Sequence, residues 1–178
     1  RREVFYMYLQ AVEDILAAGI RPRCHLEDIT RANLFEFVIP LISAIDDLGK
    51  QAGVDVKFRL CDTLGVAKPF TRLALPRSVP AIVHHIKEQL GIKASQLEWH
   101  GHNDFYKVVS NAGTAWLYGC SSINCALLGI GERTGNCPLE AMVIEYAQLR
   151  GTMDGMDFTA ITDIANYFED EIGIPVPP

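Results

Sequence analysis

The sequence predicts an α/β fold built on a parallel β-sheet, and two observations carry this prediction. Apolar, strand-like runs alternate with segments of helical periodicity, which is the pattern of consecutive strand–helix units. A polar cluster also ends each of these runs, and the carboxyl ends of parallel strands hold the functional side chains of (β/α)8 barrels and of open sheets alike. The pattern therefore fits either a small doubly wound sheet or part of a (β/α)8 barrel.

The elements follow from the spacing of the apolar residues. Four strands are expected at Arg23–Ile29, Val56–Thr63, Leu97–Asn103 and Ser122–Ile130. One helix repeats apolar residues at i, i+3, i+4 and i+7 through Leu34, Phe37, Val38, Leu41 and Ile45. The next helix repeats them through Val79, Ile82, Val83, Ile86 and Leu90.

The remaining helices flank or close these units. Tyr106–Tyr118 reads as a third helix, and a fourth runs through Arg150 from Pro138, which takes the favoured first helical position. Pro40 is expected to kink the helix that carries Leu34 and Ile45. A leading helix (Val4–Ala18) and a trailing helix (Phe158–Ile172) surround the four units.

The length and both ends indicate a piece of a longer protein. The chain has 178 residues, and domains commonly run to about 100–200 residues. It begins with Arg1 rather than with an initiator methionine, and Ile174–Pro178 reads as an extended Pro-rich linker.

Composition excludes several function classes. A formal net charge of -6, without any run of Lys or Arg, argues against a nucleic-acid partner. No window approaches the roughly 18 consecutive apolar residues of a membrane span. The five cysteines include no C-x-x-C pair, so we expect buried, reduced thiols in a cytoplasmic protein rather than disulfides or zinc ligands.

Two motifs point to a metal site. His100–Asp104 (HGHND) ends the third strand, and histidines at i and i+2 of a strand share one face, so both rings can reach one ion. An isolated His-x-His is also often a hydrogen-bonding pair, but the polar residues that follow can orient ligating histidines. The second motif, Gly129–Asn136 (GIGERTGN), delivers the amide of Asn136 from a glycine-rich turn. Its spacing departs from the dinucleotide-binding pattern G-x-G-x-x-G.

Acidic and hydroxyl residues end the first two strands. Alternation places His25 and Glu27 on one face of the first strand and Asp28 on the other. Asp28 or Thr30 can also cap the helix that follows. After the second strand, Thr63 either binds a substrate carboxylate or satisfies its own turn.

Taken together, these segments resemble the DRE-TIM metallolyases, a family with an HMG-CoA-lyase-like fold. The resemblance is strongest to the branch that holds the isopropylmalate, homocitrate, citramalate and Re-type citrate synthases, with the Re-type citrate synthases most similar around the last two motifs. The matching stretches cover nearly the whole chain: Leu26–Arg31, Asp62–Gly65, His100–Asp104, Gly129–Asn136 and Leu139–Glu140.

The resemblance implies a partial TIM barrel. The four strands would be the fifth to eighth, so that residues 1–150 form the C-terminal half of the catalytic barrel. Residues 151–178 would form a trailing helix and a linker to a further C-terminal region. The family's first-strand Arg-Asp motif, which supplies a metal-ligating aspartate and a catalytic arginine, has no counterpart in this chain.

The resemblance also implies an acyltransferase that condenses acetyl-CoA with a 2-oxo acid at a divalent metal. Mn²⁺, Zn²⁺, Co²⁺ or Mg²⁺ would be held by three residues of this chain and the aspartate from outside it: His100, His102 and Asn136. Glu27 would act as an acid/base or base-positioning residue near the thioester, and Thr63 would contact the oxo-acid carboxylate. His25, where relatives often carry serine, would mark substrate specificity.

Two other functions compete with this one. A metal-dependent C–C lyase or aldolase of the same family would run the bond-forming step backwards. An inactive half-barrel would instead serve as an interaction module, because its exposed sheet edges invite pairing with a second chain. For the full-length enzyme we expect a homodimer in the cytoplasm.

Overall fold

One parallel sheet with helices packed on it makes up the computed structural model of this chain, which describes residues 2–176. Its strands lie side by side in chain order: β1 (Arg23–Leu26), β2 (Lys57–Asp62), β3 (Leu97–Gly101) and β4 (Ser122–Ile123). The predicted α/β fold is confirmed. A doubly wound sheet reverses its strand order at a switch point, whereas this unbroken order is the repeat of a (β/α)8 barrel.

All the predicted helices are present in the described residues. They are α1 (Arg2–Ala17), α2 (Ile39–Gln51), α3 (Val79–Leu90), α4 (Val108–Tyr118), α5 (Leu139–Arg150) and α6 (Thr159–Tyr167). A π-helical turn, Phe168–Ile172, continues α6. Pro177 and Pro178 of the predicted linker lie outside the described residues.

The first and last strands are shorter than predicted. β1 ends at Leu26 because Asp28 takes a left-handed φ of 59° and turns the chain into a 3₁₀ turn at Ile29–Arg31. After Ile123, the run expected to stay extended turns instead into a 3₁₀ turn at Leu127–Gly129. The apolar residues that follow β1 and β4 are partly buried in turns and do not pair in the sheet.

The prolines mark helix starts. Pro40 lies in the first turn of α2, which continues directly from the preceding helical turn, so its missing N–H removes one hydrogen bond from a continuous helical segment. The predicted kink takes the form of a π-helical turn, Leu34–Val38, that leads into α2. Pro138 precedes the first residue of α5 rather than occupying it. α4 begins two residues later than predicted, because Tyr106 has a φ of 54°.

The two faces of the sheet differ in chemistry. One face packs against the helices and carries buried apolar side chains, among them Leu26, Phe58, Leu60, Leu97 and Trp99. The other face carries polar groups. Glu98 lies buried there, with its carboxylate oxygens 2.7 Å from Arg59 Nε and 3.5 Å from Arg23 Nε. The polar face corresponds to the interior of a barrel.

The register orders this polar face into layers. His25 pairs with Arg59, which pairs with Glu98, which pairs with Ser122. In the next layer toward the carboxyl ends of the strands, Cys61 of β2 pairs with His100 of β3. Side chains from neighbouring strands therefore meet at a common height, and the candidate site lies at the upper edge of the sheet.

Asp62 fastens the β2 carboxyl end to the loops around it. Its buried carboxylate accepts hydrogen bonds from the Thr30 hydroxyl at 2.8 Å and from the backbone N–H groups of Val66 and Ala67 at 3.0 and 3.1 Å. Burial raises the pKa of this carboxyl, and these donors counteract the rise. Asp62 thus stabilises the two strand ends that carry Glu27 and Thr63.

Replacing Asp62 with alanine is expected to destabilise the protein by roughly 2–5 kcal/mol, because buried donors lose their acceptor. The exposed Asp47, whose carboxylate lies 3.8 Å from Lys50 Nζ, provides the matched control, and Asp47→Ala is expected to cost under about 0.5 kcal/mol. Denaturant unfolding of the full-length protein measures both. Equal losses for the two variants would contradict the anchoring role of Asp62.

Residues 2–176 include no helix long and apolar enough to cross a bilayer. All five cysteines are free thiols, and Cys24, Cys61, Cys120 and Cys137 are buried. The burial of these four agrees with the prediction of buried cysteines.

Candidate active site

Two histidine rings face each other at the upper edge of the sheet. His100 is the last residue but one of β3 and His102 follows it by two residues, so the alternation of the extended backbone turns both rings to the polar face. Their Nε2 atoms lie 3.3 Å apart, and their ring planes are nearly perpendicular, at 89°. His102 is buried and His100 is half-buried. Burial, His100 and Arg133 lower the pKa of His102, which favours the neutral ring that a metal requires.

The Nδ1 atom of each ring lies next to an asparagine side chain. Asn124 Oδ1 lies 2.8 Å from His100 Nδ1. Asn136 Nδ2 lies 3.5 Å from His102 Nδ1 and 3.3 Å from the carbonyl oxygen of Gly101. Asn136 reaches this place because its backbone forms an antiparallel bridge with His102. The structure therefore brings together all three residues of the predicted metal site.

The glycines of the turn make room for Asn136. A Cβ added to Gly131 would lie only 1.9 Å from Asn136 Oδ1. Gly135 has a φ of +96°, and a Cβ there would lie 2.3 Å from the carbonyl oxygen of Gly129. A side chain at either position would displace the turn. The glycines thus serve the placement of an amide, and the dinucleotide alternative has no further support.

Arg133 fixes the same turn to the neighbouring loops. Its Nε and Nη2 atoms lie 2.8 and 3.1 Å from the two carboxylate oxygens of Asp104, and Nη2 also donates to the Thr63 carbonyl oxygen at 2.7 Å. Arg133 lowers the pKa of Asp104. Glu132 lies farther from Arg133, with a carboxylate oxygen 3.6 Å from Nη1. The main partner of Arg133 is therefore the aspartate after the histidine pair.

Arg133→Gln is expected to loosen the turn and to raise amide hydrogen exchange in residues 129–136. The fork of two N–H donors and its charge are both lost. Arg133→Lys keeps the charge without the fork, so we expect exchange between that of the wild type and that of Arg133→Gln. Exchange that is unchanged in the glutamine variant would contradict the anchoring role.

Glu27 and Thr63 form a second pair at the same edge. The Thr63 hydroxyl donates to Glu27 Oε2 at 2.8 Å and accepts the Asp28 N–H at 2.8 Å. The cap expected from Asp28 or Thr30 is absent: Asp28 pairs with Arg31, and Thr30 donates to Asp62. Thr63 thus satisfies its turn and orients Glu27 at the same time.

His25 lies one layer below this pair and is exposed on the polar face of the sheet. Its pKa is lowered by partial desolvation and by the guanidinium of Arg59. The ring is therefore a neutral polar group at the ordinary pH of a cell. Among residues 2–176, no hydrogen bond or ring contact joins His25 to the histidine pair.

The histidine pair has the geometry of two ligands of one ion. Two nitrogens 3.3 Å apart, each about 2.1 Å from a common ion, subtend an angle of roughly 100° at it, which tetrahedral and octahedral sites both approach. Within residues 2–176, no three His, Cys, Asp or Glu side chains converge on one point. The donor set of this chain is two imidazoles and an amide, and it fits a divalent metal once a further ligand is supplied.

Asn124 is the site residue that the sequence did not reveal. It lies just beyond β4, and its backbone N–H bonds to the Trp99 carbonyl oxygen at 2.8 Å, which continues the parallel pairing and sets Asn124 beside His100. The available signal was the alternation of Ser122 and Asn124 with apolar residues, but its meaning depends on the register.

Comparison with known proteins gives a consistent result. The HMGL-like family matches residues 1–168. The citrate (Re)-synthase of Clostridium kluyveri is 52% identical over 99% of this chain, and that of Syntrophus aciditrophicus is 50% identical over 99% of it. The chain spans 39% and 28% of the lengths of these two relatives.

The fold comparison points the same way. An HMG-CoA lyase from Acinetobacter baumannii superposes with a TM-score of 0.70 at 20% identity, covering 100% of this chain and 57% of the lyase. This likeness confirms the expected partial barrel with an HMG-CoA-lyase-like fold. The predicted resemblance is likewise confirmed, and the chain belongs to the HMGL-like family of DRE-TIM metallolyases.

Proposed function

We propose that the full-length protein condenses acetyl-CoA with a 2-oxo acid, and that oxaloacetate is the oxo acid, as in a Re-type citrate synthase. The observation that carries the proposal is the pair of Nε2 atoms 3.3 Å apart beside Asn136 at the carboxyl edge of a parallel sheet. The 52% and 50% identity to two citrate (Re)-synthases favours this member of the condensing branch over isopropylmalate or homocitrate synthase.

In this proposal His100, His102 and Asn136 hold a divalent metal together with an aspartate from outside this chain. Nitrogen and oxygen donors without thiolate suit Mn²⁺, Zn²⁺ or Co²⁺ and tolerate Mg²⁺. When bound, the metal would act as a Lewis acid on the oxo-acid carbonyl. The antiparallel bridge with His102 and the space that Gly131 leaves place the Asn136 amide beside His102.

Glu27 is proposed as the acid/base residue for the acetyl methyl group. It is exposed at the open edge of the sheet, and the Thr63 hydroxyl orients its carboxylate. The Thr63 hydroxyl has one proton, which it donates to Glu27. To donate to the oxo-acid carboxylate instead, the hydroxyl must turn away from Glu27. Positioning of Glu27 and binding of substrate are thereby coupled through one proton.

His25 is proposed to contribute to the choice of oxo acid. It lies on the polar face one layer below Glu27, next to Arg59, whose guanidinium is engaged by Glu98. A neutral imidazole in that layer offers a hydrogen bond to a polar end of the substrate.

Two further proposals concern the whole protein. Residues 1–150 form half of a catalytic barrel, with 151–178 leading to a further region. The protein is a homodimer of the cytoplasm.

The test is release of free thiol from acetyl-CoA by the full-length protein with Mn²⁺. Oxaloacetate, 2-oxoglutarate, 2-oxoisovalerate and pyruvate are compared as acceptors. We expect release with oxaloacetate. Release with another acid alone would reassign the substrate, and silence with all four from metal-loaded protein would favour the lyase or the interaction module.

A further inference from the structure

Asn124 is the polar residue of the histidine cluster that no part of the proposed mechanism uses. It lies beyond β4 at the height of His100, and its Oδ1 lies 2.8 Å from His100 Nδ1. An amide oxygen only accepts hydrogen bonds, so the proton of this bond belongs to Nδ1. His100 Nε2 then carries a lone pair, and this lone pair is directed at the other ring.

The four side chains form one directed series of hydrogen bonds. With the His100 Nε2 lone pair as acceptor, the 3.3 Å contact requires the proton on His102 Nε2. His102 Nδ1 is then an acceptor, and Asn136 Nδ2, 3.5 Å away, is a donor directed at it. Each group has the role that its neighbour requires, and the direction of the whole series begins at the oxygen of Asn124.

We propose that Asn124 is a positioning residue that presets His100 as a metal ligand by holding its proton on Nδ1. This inference rests on the proposed metal site. His100 already carries its lone pair on Nε2, whereas His102 must move its proton from Nε2 to Nδ1 before its Nε2 can bind an ion. Partners of this kind on metal-ligating histidines typically change metal affinity by about 10–100-fold.

The test combines two measurements on the metal-free, full-length protein with ¹⁵N-labelled histidine. Long-range ¹H–¹⁵N correlation spectra report which nitrogen of each ring carries the proton, and His100→Gln and His102→Gln assign the signals. Competition with a chromophoric chelator reports Zn²⁺ affinity. The variants are Asn124→Ala, which removes the acceptor, and Asn124→Asp, which keeps an acceptor-only oxygen in its place.

Asn33→Ala is the matched control, because this asparagine caps the turn before α2 and its side chain bonds to Glu36 rather than to a histidine. We expect His100 to be protonated on Nδ1 and His102 on Nε2 in the wild type, with both on Nδ1 after Zn²⁺ is added. Asn124→Ala is expected to mix the His100 tautomers and to weaken Zn²⁺ binding about 10–100-fold. Asn124→Asp should restore both, and Asn33→Ala should alter neither.

An Asn124→Ala protein with the wild-type His100 tautomer and wild-type Zn²⁺ affinity would overturn the inference. A wild type that binds no Zn²⁺ or Mn²⁺, but whose His100 tautomer depends on Asn124, would support the role of Asn124 in setting the ring and contradict the proposed function. Loss of affinity in both Asn124→Ala and Asn124→Asp would also overturn the inference, because the acceptor would then not be what matters.

Discussion

Replacing His102 with alanine in the full-length protein is expected to abolish metal retention and to lower activity by on the order of 10³-fold or more. Loss of a ligand removes the Lewis acid, which is worth several kcal/mol, and each 1.4 kcal/mol is tenfold in rate. The variant also leaves Asn136 Nδ2 without its imidazole contact. Metal content by elemental analysis and thiol release from acetyl-CoA measure the two effects.

The matched control for this variant is another histidine. His84 is exposed on α3, so His84→Ala is expected to retain metal and activity. A His102→Ala protein that keeps both its metal and its rate would remove this residue from the ligand set and leave the histidine pair as an ordinary hydrogen-bonded contact.

Gly131→Ala is expected to weaken metal binding about 10–100-fold, the range found when groups that orient a ligand are lost. The added Cβ would lie 1.9 Å from Asn136 Oδ1, so the amide must leave its place beside His102. The backbone of Gly131 does not take a left-handed φ, so the effect arises from contact and not from backbone strain. Chelator competition measures the affinity.

Gly113→Ala provides the control for Gly131→Ala. Its added Cβ meets a side-chain oxygen of Glu145 at 2.7 Å, and this flexible carboxylate can move aside. Because alanine is also favoured in a helix by about 1 kcal/mol over glycine, we expect wild-type metal affinity and no loss of thermal stability. Equal affinity of Gly131→Ala and the wild type would show that Asn136 does not depend on the space at Gly131.

The sequence was sufficient for the order of the elements because each strand and helix carries its own periodicity. The ends of β1 and β4 could not be predicted in the same way. At Ile29 and Leu128 the side chains are buried although the backbone has turned, so apolar character alone mimics a longer strand. The left-handed φ of Asp28 and of Leu128 depends on the loops around them, which no local pattern records.

Part of the candidate site could likewise be predicted from the sequence, and part could not. His100 and His102 share a face by alternation alone, so their proximity was predictable from the residues. The place of Asn136 came from the resemblance, and the clearance at Gly131 gives its physical reason. Asn124 and the Arg133–Asp104 pair are separated from their partners by 24 and 29 residues. Only the register of the sheet and the path of the turn bring these groups together.

The most direct test of the metal site is pulsed EPR of Mn²⁺ bound to the full-length protein with ¹⁵N-labelled histidine. We expect nitrogen couplings from two directly bound imidazoles, which are those of His100 and His102. Coupling to no imidazole, with Mn²⁺ held by oxygen ligands alone, would contradict the placement of the metal centre at this edge of the sheet.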